Sequence, residues 1–506
     1  MLQTLRVATR DRKRLEEILS VISRYGLGIV LVQIGLERPG SGDGDESQSQ
    51  GLPLRARHAL EELGPTFVKL GQILATRGDL LPADWIDEFE HLHSKAPTLP
   101  FDELRPLVTE ALGQEPETAF ARFDAEPLAA ASMAQVHRAT LCDGRDVVVK
   151  IRRPGIRPKI EADLRLLAHV AALAERGSAE ARRIGLARMA SQLADAMIEE
   201  LDFTTEARNA DRLRADFENQ ANVVVPAIHW EWTSETLLVM DYVDGVPPRD
   251  RQALRSAGID PAKIASLGAD MVLDMVLLNG RFHGDPHPGN LLCLPGDRIA
   301  LLDLGMVGYV SPRRREELIS LVQALGNGSS AQLADVLMRW SAGSDVSAQH
   351  MFFAAERLIH RHGSGRLVLS AIVADLFALM RDERLTLPPD LLLIFKALVT
   401  IDGVLSRIEP DFDLTQAMQR ASLRIARARL SPEHWSPVVQ AVAWELVRIG
   451  DDAPRLIRAA IQRLENQPSA RTPAASALNA SPSEVRWLAG AILAGAAIIS
   501  GALWFR

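Results

Sequence analysis

The sequence contains little cysteine and no excess of positive charge. Its 506 residues include two cysteines, Cys142 and Cys293, which cannot build a disulfide framework and lack the spacing of zinc ligands. A reducing compartment is therefore expected. The chain has 57 Lys and Arg against 65 Asp and Glu residues, a formal net charge of −8. That balance argues against a general nucleic-acid-binding protein.

The composition is otherwise that of an ordinary globular protein. Hydrophobic residues make up 47% and charged residues 24%, which excludes disorder, collagen and coiled coil as descriptions of the whole chain. No internal repeat is visible. At roughly 150 residues per domain, the length predicts two to four domains.

The N-terminus resembles a signal peptide only weakly. Basic residues precede an apolar run at 27–36, but Glu16 and Glu17 intervene and no small-residue cleavage site follows. The pattern predicts an amphipathic helix that lies on a membrane or packs on the domain behind it. The polar stretch Ser41–Gly51 predicts a flexible linker.

The C-terminus carries a long apolar segment. Trp487–Phe505 is nineteen residues without a charge and would span roughly 28 Å as a helix, close to a bilayer core. It predicts a single transmembrane helix, with a buried helix or re-entrant segment as the alternatives. Arg486 and Arg506 flank it evenly and give no orientation. The Ala-, Ser- and Pro-rich stretch 470–483 predicts the tether.

In the middle of the chain the predicted secondary structure changes from helix to strand and then back to helix. Residues 54–77 predict helix, with a break at Gly64-Pro65. A β-branched strand then ends in Lys150, and two further strands are predicted at 223–230 and 237–242. Helices dominate from 256 onward, interrupted by a strand–turn–strand region at 283–308.

The most informative stretch is an ordered set of oxygen ligands. Asn290 follows Asp285 by five residues, and Asp303-Leu304-Gly305 comes thirteen residues after Asn290. Mg²⁺ takes oxygen ligands, and a kinase needs a loop Asp, a loop Asn and a metal-binding Asp in this order. A strand lysine such as Lys150 can pair with phosphates and a helix glutamate. The candidate acids are Glu200, Asp202 and Glu206.

One part of the kinase pattern is missing. No Gly-x-Gly-x-x-Gly precedes Lys150, and Ala129, Ala130, Ala131 and Ser132 stand in its place. Alanine permits close backbone approach but not the positive φ of glycine. Nucleotide is therefore expected to be held differently from an ordinary kinase.

Six motifs occur in a fixed order. They are Lys69-Leu70-Gly71-Gln72, the AAAS loop running into MAQVHRA, Lys150 in VVVKI, Glu200-Leu201-Asp202, His283 to Asn290, and Asp303-Leu304-Gly305. With them, roughly residues 55 to 450 resemble the UbiB-type atypical kinase-like family, also called the AarF or ADCK-type family. The resemblance implies an α+β, two-lobed protein-kinase-like fold with a helical N-terminal extension, followed here by the predicted transmembrane helix.

The resemblance also implies a division of the chain. The predicted segments are 1–50 (N-terminal helix and linker), 51–126 (helical extension), 127–245 (N-lobe), 246–465 (helical C-lobe), 466–486 (linker) and 487–505 (transmembrane helix). Bacterial members often end in two membrane spans, whereas only one is predicted here.

The family's site residues map onto this chain by motif. Lys150 would bind phosphates and pair with Glu206. Asp285 would stand at the catalytic-loop position, and Asn290 and Asp303 would ligate Mg²⁺. Residues 129–132 would contact the nucleotide.

The K-x-G-Q motif would regulate access to this site. Lys69 and Gln72 would lie on the extension, over the cleft where a kinase admits peptide. Glu200 and Asp202 would face Lys69 and help to hold the extension closed.

What the family does follows from the resemblance alone. Members bind adenine nucleotides, hydrolyse ATP and support synthesis of ubiquinone or related prenyl quinones. The implied partners are a membrane lipid or polyprenylated quinone precursor and other quinone-biosynthesis enzymes, with no nucleic acid. The expected location is a bacterial-type inner membrane, with the kinase-like domain cytoplasmic. The oligomeric state stays open, a homodimer included.

Three other functions compete with a membrane ATPase. One is a small-molecule or lipid kinase, and another is a nucleotide-gated, non-catalytic scaffold. The third is a zinc hydrolase that uses His283, Asp285 and His287, although the loop lacks a recognised zinc-ligand spacing. An older description as a hydroxylase is disfavoured, since the chain has neither a flavin glycine fingerprint nor an evident redox-metal site.

Overall fold

A computed structural model of the chain describes residues 11–27, 51–75, 81–92, 97–340, 347–362, 369–382, 388–430 and 444. The tether and the transmembrane segment 487–505 lie outside these residues, as do the predicted linker except Gly51 and the apolar run 27–36 except Leu27. Among the helices that are described, none combines the length and the apolar character that crossing a membrane requires.

Four helices form the N-terminal part of the described chain. They are α1 (Arg12–Arg24), α2 (Leu52–Leu63), α3 (Pro65–Ala75) and α4 (Ala83–Glu90). The predicted break falls at Gly64, whose φ of 103° ends α2 before Pro65 begins α3. Ile18 and Val21 of α1 are buried in one apolar cluster with α2, α3 and α4. Of the two alternatives for the first helix, the described residues therefore show packing on the domain behind it.

The N-lobe is a four-stranded antiparallel sheet with two helices before it. These elements are α5 (Phe101–Leu112), α6 (Pro116–Ala119), β1 (Arg122–Ala130), β2 (Ala134–Thr140) and β3 (Asp146–Arg152). β5 (Leu237–Asp241) completes the order β1-β2-β3-β5, while β4 (Val223–Val224) joins another sheet. Leu104 and Val108 of α5 share one core with Val147 and Val149 of β3. The predicted boundary between 126 and 127 thus falls inside β1, and α5 packs with the N-lobe.

Four helices link β3 to β4. They are α7 (Ile156–Gly177), α8 (Ala179–Ile184), α9 (Leu186–Leu201) and α10 (Phe203–Asp216). Arg14 of α1 binds Asp163 of α7 at 2.6 Å, a buried ion pair that ties the N-terminal helices to this group. α9 contacts both α3 and α7. α9 therefore links the extension to the helices that follow the N-lobe strand β3.

The C-lobe is helical around two small sheets. Its first elements are α11 (Arg251–Ser256), α12 (Pro261–Asp274), a π-helical turn (Met275–Asn279), β6 (Arg281–His283), β7 (Leu291–Leu294), β8 (Arg298–Leu301) and β9 (Val307–Tyr309). The sheets are β4-β8-β7 and β6-β9. The predicted strand at 223–230 is only the two-residue β4, since a 3₁₀ turn forms at Trp230–Trp232.

In the described part of the C-lobe, six further helices surround the apolar core. They are α13 (Pro312–Gly326), α14 (Ser330–Trp340), α15 (Ala348–His362), α16 (Leu369–Asp382), α17 (Pro389–Ile408) and α18 (Leu414–Leu430). α17 packs on α12 and on α16. Its buried Ile394, Phe395 and Ala397 hold it rigidly in the core.

Candidate functional site

A buried ion pair joins the N-lobe sheet to α10. Lys150 of β3 places its Nζ 2.9 Å and 3.1 Å from the two carboxylate oxygens of Glu206. The two side chains are 14% and 7% exposed, so little water screens them. Lys150 also lies over the ring of Phe203, 5.4 Å from its centroid. The predicted pairing of Lys150 with Glu206 is present, and its phosphate-binding role stays a prediction.

Asp303 brings a second carboxylate to Lys150. Its Oδ2 lies 3.5 Å from Lys150 Nζ, and its side chain remains 53% exposed. Asp303 has a φ of 46°, in the left-handed region that a non-glycine residue seldom adopts. Such strain is common where a side chain is held for function. Asn209 of α10 donates to the carbonyl of Leu304 at 3.2 Å, which ties this turn to the helix that carries Glu206.

The charges of this group are set by burial and by each other. Burial acts to lower the pKa of Lys150, but the carboxylates of Asp303 and Glu206 outweigh it and raise that pKa. Burial raises the pKa of Glu206 to about 7, although Lys150 opposes this. Lys150 holds the pKa of Asp303 below its ordinary value. The result is a charged lysine beside an ionised, half-exposed carboxylate.

The loop after β6 is held by its histidines. His283 is buried, and its Nδ1 accepts from the backbone N–H of Asp285 at 3.1 Å while its Nε2 lies 3.2 Å from the carbonyl of Leu302. His287 Nδ1 accepts from the N–H of Gly289 at 2.9 Å. Both histidines thus orient the backbone. In the described part of the chain, no three His, Cys, Asp or Glu side chains are placed to hold a metal ion, so the zinc-hydrolase alternative finds no support there.

The donor set fits Mg²⁺ held together with phosphate oxygens. The N–H of Leu302 donates to the carbonyl of Asn290 at 2.8 Å, which brings Asn290 next to Asp303 across the β7–β8 hairpin. Asn290 Nδ2 donates to the carbonyl of Asp285 at 3.1 Å, so its amide oxygen is left as a ligand. Mg²⁺ takes oxygen ligands, and in kinases an Asp and an Asn supply them together with the phosphates. Asn290 and Asp303 would therefore hold it.

The extension reaches the same cluster through Lys69. Lys69 Nζ lies 2.9 Å from Glu200 Oε2 of α9. Burial acts to lower the pKa of Lys69, but Glu200 raises it, helped by Asp285 and Asp303 of the cleft. The charges of Asp285 and Asp303 therefore help Glu200 to stabilise the ammonium of Lys69. Its pairing with Glu200 agrees with the sequence prediction, while a regulatory role stays a prediction.

The rest of the K-x-G-Q motif anchors the extension internally. Gln72 Nε2 donates to the carbonyl of Leu92 at 3.3 Å. Gly71 packs so closely that a Cβ there would overlap the side chains of Leu60 and Leu92. The glycine thus lets α3 approach α2 and the end of α4, which places Lys69 toward α9.

Asp202 has a role that the sequence analysis did not foresee. It was expected to face Lys69, but its Oδ1 accepts from the N–H and the hydroxyl of Thr204 at 2.9 Å and 2.7 Å. It is the N-cap of α10. Asp202 therefore positions the helix that carries Glu206.

The alanine-rich segment forms the turn between β1 and β2. Ala129 and Ala130 end β1, and the N–H of Ala131 donates to the carbonyl of Ala134 at 2.8 Å across Ser132. Arg153 Nε binds the carbonyl of Ala131 at 2.8 Å. The hairpin is thereby fastened to the chain just after β3. Nucleotide contact by residues 129–132 stays a prediction.

Lys396 was missed by the sequence analysis. Its Nζ, on α17, lies 3.6 Å from Asp285 Oδ1. It is the only ionisable residue between Asp390 and Asp402, within an otherwise largely apolar run. A lone lysine in a core helix is a usable signal, because such a charge is seldom buried without a partner.

Comparisons with known proteins show which family this chain resembles. The ABC1 atypical kinase-like domain matches residues 91–337, and the UbiB helical domain matches residues 364–413. A protein of Azotobacter vinelandii named "Probable protein kinase UbiB" is 34% identical over 439 residues, covering 83% of this chain and 82% of that protein. A protein of the same name from Marinobacter nauticus is 32% identical over 461 residues, covering 88% and 84%.

One solved structure is similar in fold. It is a Mycobacterium tuberculosis protein in complex with erythromycin, 23% identical, with a TM-score of 0.50. The match covers 69% of this chain and 90% of that one. The likeness concerns the fold alone.

Proposed function

The chain belongs to the UbiB family of atypical kinase-like proteins, and we propose that it is a membrane-associated ATPase that supports ubiquinone biosynthesis. Involvement in ubiquinone biosynthesis is implied by the family name. ATP hydrolysis, Mg²⁺ dependence and action on polyprenylated lipid precursors, or on the enzymes that process them, are the proposal.

One observation carries it: Lys150 lies between Glu206 and Asp303. Glu206 fixes the ammonium in a buried position at 2.9 Å, while Asp303 is half exposed at 3.5 Å. A lysine so oriented can bind nucleotide phosphates, and the oxygens of Asp303 and Asn290 can hold Mg²⁺. When bound, Mg²⁺ would neutralise charge on the phosphates. In this proposal Asp285, on the hydrogen-bonded loop, would orient the attacking water.

The position of Lys69 favours hydrolysis over phosphorylation of a protein. Lys69 comes from the extension, is paired with Glu200, and acts electrostatically on Asp285 and Asp303. A peptide substrate would have to enter where this helix lies. Water and small molecules need much less room.

The membrane part of the proposal depends on the sequence. The segment 487–505 would anchor the protein in a bacterial-type inner membrane, with the kinase-like domain on the cytoplasmic side. That would bring the site close to apolar quinone precursors and to quinone-biosynthesis enzymes.

The test is phosphate release from Mg²⁺-ATP by the full-length protein in liposomes, with and without a polyprenylphenol. Asp303→Asn is expected to abolish release, whereas Asp297→Asn is expected to preserve it. The control is matched, because Asp297 also has a positive φ, 56°, and lies on the β7–β8 turn away from Lys150. Equal release by wild type and Asp303→Asn would overturn the proposal.

A lipid or small-molecule kinase is the second candidate. Asp285 is 34% exposed and meets Lys396 at 3.6 Å, so its carboxylate is accessible to an acceptor hydroxyl. Transfer of labelled phosphoryl from ATP to the polyprenylphenol would identify a kinase. Full complementation of a deletion strain by Asp285→Asn would instead favour the scaffold.

A further inference from the structure

The catalytic-loop segment Asp285–Asn290 contains neither lysine nor arginine. The carboxylate of Asp285 nevertheless faces a cation, since Lys396 Nζ of α17 lies 3.6 Å from its Oδ1. These two residues are far apart in sequence. The C-lobe helices thus provide a charge that the loop itself does not carry.

Lys396 is held on a rigid element. Ile394, Phe395 and Ala397 on either side are buried in the C-lobe core. The side chain of Lys396 is itself 26% exposed. The backbone of Lys396 is therefore anchored by the core while its side chain stays partly exposed, and side chains carried on packed helices are held more precisely than those on loops.

The distance to Asp285 leaves Lys396 free to act on another anion. At 3.6 Å the two groups attract each other but are too far apart for a good hydrogen bond. Lys396 also affects Glu90 on α4 of the extension. Burial and the charge of Asp87 raise the pKa of Glu90, whereas the charge of Lys396 lowers it. The ammonium thus serves carboxylates from two parts of the chain.

We propose that Lys396 is a positioning residue of the catalytic site, which orients Asp285 and offsets its repulsion from the terminal phosphate of a bound nucleoside triphosphate. This rests on the proposed function, because it requires that phosphate to lie beside Asp285. Without Lys396, the carboxylate of Asp285 and the terminal phosphate would repel each other with one fewer neighbouring ammonium to offset the repulsion.

The test compares binding of Mg²⁺-AMP-PNP and Mg²⁺-ADP by the full-length protein in detergent. Lys396→Met is expected to weaken binding of the triphosphate analogue about fivefold more than that of ADP, since only the analogue has a terminal phosphate beside Asp285. Lys396→Arg should retain the wild-type preference. The double variant Asp285→Asn/Lys396→Met should regain it, because the repelling charge is gone.

Lys263→Met is the control. Lys263 pairs with Asp297 at the surface, 66% exposed, and its loss should leave both affinities unchanged.

Each other outcome overturns the proposal in a recognisable way. If Lys396→Met binds both nucleotides like wild type, Lys396 has no such role, while the nucleotide site itself stands. If Lys396→Met loses affinity for both nucleotides equally and its melting temperature falls, Lys396 has a structural role only. If wild type binds neither nucleotide, the proposed function fails together with this inference.

Discussion

The ammonium of Lys69 lies 2.9 Å from the carboxylate of Glu200, so one ion pair ties the N-terminal extension to α9. The side chains are 15% and 36% exposed, which gives a contact that is only partly screened by water. This ion pair is therefore a contact between the extension and α9 that single substitutions can remove.

Lys69→Met and Glu200→Gln are each expected to speed hydrogen exchange of the α3 amides about three- to tenfold, since local opening becomes easier. Exchange measured by mass spectrometry over peptides of 65–75 checks this. The double variant should exchange no faster than the single ones. Lys263→Met, which removes a surface pair elsewhere, should leave α3 unchanged, and unchanged exchange in Lys69→Met would refute the contact.

Asp202 should behave as a helix cap. Asp202→Asn keeps a side-chain oxygen for the N–H of Thr204 and is expected to preserve stability, whereas Asp202→Ala should cost about 1 kcal/mol. Urea unfolding followed by circular dichroism measures the difference. If the two variants were equally destabilised, the negative charge of Asp202 and not the cap would matter.

Glu206 should make stability depend on pH. Its folded-state pKa is raised by burial to about 7, above the ordinary value of about 4.3. The folded state therefore binds the proton more tightly, and this contribution is fully present below about pH 4.3 and lost as the pH rises through about 7.

The measurement is the free energy of unfolding of wild type minus that of Glu206→Gln. From about pH 5.5 to about pH 8 this difference should fall by roughly 1 to 3 kcal/mol. Glu206→Gln serves as its own control because it cannot titrate. A difference that stays constant with pH would show that Glu206 is ionised throughout.

The C-lobe core contains an apolar cavity of about 60 Å³, lined by Val272, Val276 and Leu398 among others. Val272→Ile adds one methylene and is expected to raise the free energy of unfolding by about 0.5 to 1 kcal/mol. Val108→Ile is the matched control, since Val108 is fully buried in helix α5 of the separate N-lobe core and should gain nothing. Thermal unfolding of both variants measures the effect. Destabilisation by Val272→Ile would mean that the cavity cannot accept the added methylene.

Local signals predicted much of the fold correctly. The Gly64-Pro65 break, the strand that carries Lys150 and the hairpin before Asp303 all occur as expected. Each depends on a backbone preference or a short apolar pattern. β1 was not recognised, because it has no buried apolar face to give an alternating pattern: all nine of its residues are exposed or half-buried.

The sequence alone determined which residues are candidates for the chemistry: their order, the Asp285 to Asn290 spacing and the lysine in a β-branched strand are linear properties. Only the tertiary structure decided the contacts that no motif predicted. It placed Lys396 beside Asp285, used Asp202 as a cap, and brought Lys69 into the field of Asp303. The physical reason is that ion pairs between distant segments depend on how helices pack, and packing is set by the whole buried core rather than by neighbours in sequence.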